Sequence, residues 1–186
     1  MTALYVKLVG YDANFTDFQG LADLPALPTF FPAFFMLFSA LIVTIRSDIE
    51  TMLITRFVTL FLIPFGLLFS AFGFLPITLT ESIAGSLLGY FFLYTAARLF
   101  FRYTGKEGIG QGDLELLAFI GAFTGILGCW IALLLGSIIG SVIGIGCIIA
   151  NNMHRDIKIP FGPFLALGAI AFVLLREEIV RLILLP

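Results

Sequence analysis

Charge is what this sequence has least of. Of its 186 residues only 12% are Asp, Glu, Lys or Arg, about half the ~25% usual in soluble domains, while 60% are hydrophobic. A soluble chain of this size needs enough polar side chains to cover its surface, and they are missing. That excludes a soluble globular domain and a disordered chain. A basic excess is missing too. Ten Lys+Arg against twelve Asp+Glu leave a net charge of −2, so there is no cationic footprint for a nucleic-acid backbone. Cysteine is scarce: Cys129 and Cys147 both lie in apolar stretches and no C-x-x-C occurs, which argues against a zinc site or a disulfide framework. The one histidine, His154, sits beside Arg155 and Asp156 and reads as a solvated loop residue. Without a second histidine, neither a Ser-His-Asp triad built on it nor a two-His metal site is supported.

What is there is long neutral sequence. Between Asp23 and Arg46 lie 22 uncharged residues, between Arg56 and Glu81 another 24, and Glu81 to Arg98 encloses 16. Glu115 to Arg155 encloses 39 and Lys158 to Arg176 encloses 17. A membrane-spanning helix needs roughly 20 residues, so four windows take one crossing each, with the third running on past a snorkelling Arg98. The 39-residue window is too long for one crossing and is expected to divide near Gly125 to Gly128. The fold class is therefore an all-α, polytopic membrane helix bundle of about six transmembrane helices. With that division Arg46, Arg56, Arg98, Arg102, Lys106, Arg155 and Lys158 share one face, while Asp12, Asp17 and Asp23 fall on the other. The positive-inside rule makes the first face cytoplasmic. Arg176 and Arg181 stand as exceptions on the outer side. Tyr5 to Gly10 is too short to span, and no removable signal peptide is expected at the start. Residues 1–28 are assigned to an N-terminal extracytoplasmic segment and 29–186 to the membrane domain.

Hydropathy explains most of the rest. The 22 Phe read as lipid-facing bulk and helix packing. Gly136, Gly140 and Gly144, like Gly121 and Gly125, recur every four residues, a spacing that lets helix backbones approach closely. Three features are left over. Ser47-Asp48-Ile49-Glu50 places two acids just after a spanning helix. Gly108-Ile109-Gly110-Gln111-Gly112-Asp113 is a glycine-rich turn that delivers an aspartate to the start of the long apolar window. Ile159-Pro160-Phe161-Gly162-Pro163-Phe164 is a rigid, kinked lead-in to the last helix. Alone, Asp48 reads as a boundary charge and Asp113 as a first-turn acid stabilised by the helix dipole. Both, however, reach the cytoplasmic face at helix entrances, and acids at membrane depth are functional candidates. Gly110 and Gly112 remove side-chain bulk, so an extended peptide has room beside the backbone there.

Two aspartates held about 3 Å apart share one proton. The ionised member takes a proton from water, which attacks a peptide carbonyl, and the protonated member donates to the carbonyl oxygen. No metal, cofactor or covalent intermediate is needed.

At these residues the sequence resembles a known family, the type IV prepilin peptidases, intramembrane aspartic proteases with a G-x-G-D motif. The block from Gly108 to Gly125 is similar to the family's glycine-rich block, including its L-L-A-x-x-G-A-x-x-G run. Residues 47–54 resemble the block carrying the first aspartate, and Ile159 to Gly168 resembles the late I-P-F-G-P-F-L-A-L-G segment. The resemblance covers roughly residues 29–175. It implies that Asp48 and Asp113 are the catalytic pair, with Gly110 and Gly112 as motif backbone. It also implies that the substrates are precursors of type IV pilins and pseudopilins, cut after a short basic leader on the cytoplasmic side of the inner membrane. Glu50, Glu107 and Glu115 are the acids expected to attract such a leader. The chain departs from many family members in having Ile54-Thr55-Arg56 in place of Leu-Pro-Asp and Glu115 in place of a lysine. Nothing in it resembles the N-terminal region with paired cysteine motifs that is linked to N-methylation, so a peptidase-only activity is expected. Residues 1–10 look like the middle of a family helix, which leaves a naturally short member and a truncated chain as the two readings. Beside this stand a small transporter or inactive scaffold using the same aspartates as ion or proton sites, and a presenilin- or signal-peptide-peptidase-like protease, against which the Ile159–Phe164 block argues.

Overall fold

The computed structural model describes residues 27–51, 56–105, 108, 110–151 and 160–184. The N-terminal segment up to residue 26, Lys106, Glu107, His154, Arg155 and Lys158 lie outside the described residues. Among the described residues five helices follow in order: α1 (Leu27–Thr51), α2 (Arg56–Ala71), α3 (Leu79–Thr104), α4 (Gln111–Asn151) and α5 (Gly162–Leu184). Three stretches, Phe30–Thr51, Leu79–Thr104 and Gln111–Gly146, are long and apolar enough to cross a membrane, and Val58–Ala71 and Gly162–Arg176 are shorter apolar helices. The protein is a helical membrane bundle. Its outer faces carry large apolar side chains such as Phe61, Phe72 and Leu174, 67–73% exposed, which suits lipid and not water.

The helix ends follow from local chemistry. Thr78 caps α3: its hydroxyl accepts from the Glu81 amide at 3.3 Å, and the Glu81 carboxylate accepts from the Thr78 amide at 2.8 Å. This reciprocal box satisfies two amides that a helix start leaves over. At the other end, Gly105 takes a left-handed φ of 66° and donates to the Phe101 carbonyl at 2.8 Å, closing the helix beyond Arg98, as the charge pattern required. The first helix differs from expectation. Asp48 is not in a loop after α1 but in its last turn, because the helix continues to Thr51; Thr51 bonds back to the Ser47 carbonyl at 2.7 Å.

The long window divides where the sequence indicated. Gly125 has φ 74° and ψ −171° inside α4, a conformation open to glycine and strained for residues with a Cβ. The chain reverses there. A Cβ on Gly89 of α3 would lie 2.9 Å from both the Leu117 carbonyl before the break and the Cys129 Sγ after it. The second arm then packs antiparallel to α5: a Cβ on Gly128 would lie 2.6 Å from the Phe172 ring and one on Gly136 2.9 Å from the Phe164 carbonyl. Among the described residues, six helical arms result from these five helices. Every residue from Asp113 to Gly125 is buried, so the first arm is the axis of the bundle. At 1.5 Å per residue it is about 20 Å long, shorter than the lipid core, and it is enclosed by protein, where such a length is tolerated. α2 and α3 close on it through glycines: a Cβ on Gly66 would meet the Phe123 ring at 2.8 Å, and one on Gly85 the Gly121 carbonyl at 2.6 Å.

Candidate functional site

Three helix ends converge at one end of the bundle: the last turn of α1 with Asp48, the first turn of α4 with Asp113, and the first residue of α5, Gly162. Both aspartates are buried, Asp48 to 5% and Asp113 to 8% exposure. They lie within electrostatic reach of each other, although 65 residues of sequence and two helices separate them. Burying even one carboxylate is costly unless something holds it. For Asp48 that is the Gly162 amide, which donates to Oδ2 at 3.1 Å. Asp113 folds back on its own turn. Its amide donates to the Gly110 carbonyl at 3.2 Å, its carboxylate approaches the Gly110 amide, and a Cβ on Gly110 would lie 3.4 Å from Asp113 Oδ2. Gly110 thus lies directly against the carboxylate.

Beside this turn a cavity of about 350 Å³ opens between the C-terminal half of α3 and the start of α4, lined by Tyr94, Arg98, Phe101, Gly108, Gly110 and Gln111. Arg98 stands at its edge with its guanidinium over the Tyr94 ring, 5.4 Å from the centroid, and Nε donating to the Tyr94 hydroxyl at 3.0 Å. The cavity and the Asp113 carboxylate share Gly110 as a wall.

The remaining sequence-derived residues separate. Glu50 is exposed and pairs with Arg46 at 2.8 Å one turn earlier. Glu115 is buried to 4% exposure, two residues past Asp113. Glu107 lies outside the described residues. Gly112 is half-buried in the first turn of α4. Among the described residues no group of three or more His, Cys, Asp or Glu is placed to hold a metal ion. Gly162 was absent from the site residues read from sequence. The proline-flanked segment around it was the only signal, since nothing local states that its amide meets a carboxylate 114 residues earlier.

Comparison with known proteins adds a second line. The sequence model of the type IV leader peptidase family matches residues 35–145, a stretch that holds both aspartates. A "prepilin leader peptidase/N-methyltransferase" of Aeromonas salmonicida is 40% identical over 135 residues, covering 72% of this chain and 46% of that protein. A protein of the same name from Pseudomonas aeruginosa is 34% identical over 134 residues, again 72% of this chain and 46% of its own length. One from Xanthomonas campestris is 41% identical over 87 residues, 47% of this chain and 30% of that protein. The chain thus spans about half the length of the curated relatives it matches. No solved structure matches it.

Proposed function

The chain belongs to the type IV leader peptidase family, and we propose that it is a membrane aspartic endopeptidase that removes the basic leader of prepilin-like precursors through Asp48 and Asp113. The observation that carries this reading is the burial of two carboxylates, from the ends of two different helices, within electrostatic reach of each other. A bundle that needed only stability would put apolar side chains there.

Such a pair holds one proton between its two members. The ionised carboxylate removes a proton from a water, whose oxygen bonds to the scissile carbonyl carbon, while the protonated carboxyl gives its proton to the carbonyl oxygen. The tetrahedral adduct then collapses. Its C–N bond breaks, the first aspartate returns its proton to the leaving nitrogen, and the second recovers one from the adduct's hydroxyl. The dyad ends as it began, with no metal and no covalent enzyme adduct. The substrate backbone, extended beside Gly108 and Gly110, lies in the cavity along α3, whose shared wall at Gly110 brings a peptide bond to Asp113. The site end faces the cytoplasm of the inner membrane. Arg46, Arg98 and Arg102 of the described helices gather at that end, which is the orientation the positive-inside rule favours. A membrane-anchored precursor, cut next to its hydrophobic helix, arrives at this depth without leaving the bilayer.

The test uses the detergent-solubilised full chain and a precursor with a basic leader. Wild type is expected to cleave it, and Asp48→Asn and Asp113→Asn are expected to fail. Cleavage retained by either variant would overturn the dyad. Failure of the wild type across several leaders would return the aspartates to an ion-binding or scaffold role.

A further inference from the structure

The start of α5 can be accounted for amide by amide. An α-helix leaves its first four N–H groups without intrahelical partners. In α5 the Phe164 and Leu165 amides both donate to the Phe161 carbonyl at 3.1 Å. Pro163 has no N–H at all. Gly162 is buried, and its amide donates at 3.1 Å to Asp48 Oδ2 on α1, 114 residues away. Prolines at 160 and 163 flank it and fix the backbone that aims it. Two aspartates are buried at this end, and each takes its backbone contact from a different place: Asp113 from its own turn, Asp48 from another helix.

We infer that the Gly162 amide is a positioning group for Asp48, fixing the carboxylate through Oδ2 so that Oδ1 is the oxygen presented to the water. The inference rests on the dyad reading above, and it gives the I-P-F-G-P segment a task in the reaction beyond ending a loop. α1 sets where the Asp48 side chain begins, and α5 sets how its carboxylate is turned. A misplacement of the order of 1 Å at a reacting group can cost about 100-fold in rate, so one amide has a lever on turnover that its part in stability would not predict.

The decisive change replaces the amide at 162 with an ester, by incorporating glycolic acid there, which swaps N–H for O and alters no side chain. In folded protein, kcat for leader cleavage is expected to fall at least tenfold with KM within about twofold of wild type. A kcat within twofold of wild type, or a loss carried by KM, would overturn the inference and reduce the contact to helix capping. The same ester is also made in Asp48→Ala, and unfolding in detergent is followed for all four proteins. The ester also weakens the Phe161 carbonyl as the acceptor of the Phe164 and Leu165 amides, so it should lower the unfolding midpoint in both backgrounds, and more when Asp48 is present; equal losses in both backgrounds would also overturn the inference. This second readout needs no activity. If wild type cleaves no leader the peptidase reading falls, and the unfolding cycle still decides whether Gly162 acts on Asp48.

Discussion

Gly85 of α3 and Gly121 of α4 meet backbone to backbone: a Cβ on Gly85 would sit 2.6 Å from the Gly121 carbonyl, and one on Gly121 would fall onto the Gly85 carbonyl. One turn away, the Ser82 hydroxyl donates to the Ala122 carbonyl. This seam holds α3 against the helix that carries Asp113. Gly121→Ala is expected to force the two helices apart, with a stability loss of about 1–3 kcal/mol, the usual range for overpacking. The loss would be larger if the backbone cannot shift. Thermal unfolding in detergent checks it, and an unchanged midpoint would show that the seam is looser than described.

Arg176 gives the second prediction. The charge pattern made it an exception to the expected topology, and the structure gives it a partner: Nη2 donates to the Pro76 carbonyl at 2.7 Å. It ties α5 to the turn between α2 and α3, at the end of the bundle away from Asp48. Arg176→Met keeps much of the stem and removes the donor. A loss of about 1–3 kcal/mol in unfolding free energy is expected, the range for a hydrogen bond with a charged partner. Cleavage by the protein that remains folded should stay at the wild-type rate.

Arg176 also marks where sequence reading stopped. The helical arms were legible because long neutral windows are read from composition alone, and the break at Gly125 because a 39-residue window exceeds one crossing. Asp48 and Asp113 were legible as a pair because both were expected at helix entrances on the face with most of the basic residues, although Asp48 lies in the last turn of its helix. Gly121, Gly125 and Gly136 do pack against neighbouring backbones as their spacing suggested, and Gly125 also serves the reversal. Contacts such as Arg176 with Pro76, or Gly162 with Asp48, join residues 100 or more apart. They depend on how the helices are arranged, which no local periodicity encodes. The burial of Glu115 is of the same kind: an acid two residues past Asp113 looks exposed until the first arm of α4 is known to be enclosed.

The exposed pair Arg46–Glu50, 2.8 Å apart with side chains 78% and 55% exposed, gives a prediction about substrate and not about stability. Such pairs contribute about 0–1 kcal/mol, so neither Arg46→Gln nor Glu50→Gln should move the unfolding midpoint appreciably. Their effects on a basic leader should be opposite in sign. Glu50→Gln removes an attractive charge near the site and is expected to raise KM about two- to fivefold at low salt. Arg46→Gln removes a repulsive one and should lower it. Both effects should fade toward 1 M salt, where screening reaches about 3 Å. A KM that ignores both substitutions would remove Glu50 from leader recognition.

The last prediction concerns how the two aspartates fail together. If each had an independent role, the rate losses of Asp48→Asn and Asp113→Asn would multiply in the double variant. A dyad that passes one proton between its members is one machine, and removing either half disables it. The double variant is therefore expected to be no slower than the slower single variant, the non-additivity seen when residues act as a unit. Asn keeps the shape of Asp, and its side-chain oxygen can still accept from the Gly162 amide, so the folded bundle should survive all three changes. Residual cleavage, measured with a large excess of enzyme over many hours, sets the comparison. A double variant slower by the product of the single losses would mean that Asp48 and Asp113 act at separate steps and do not share a proton.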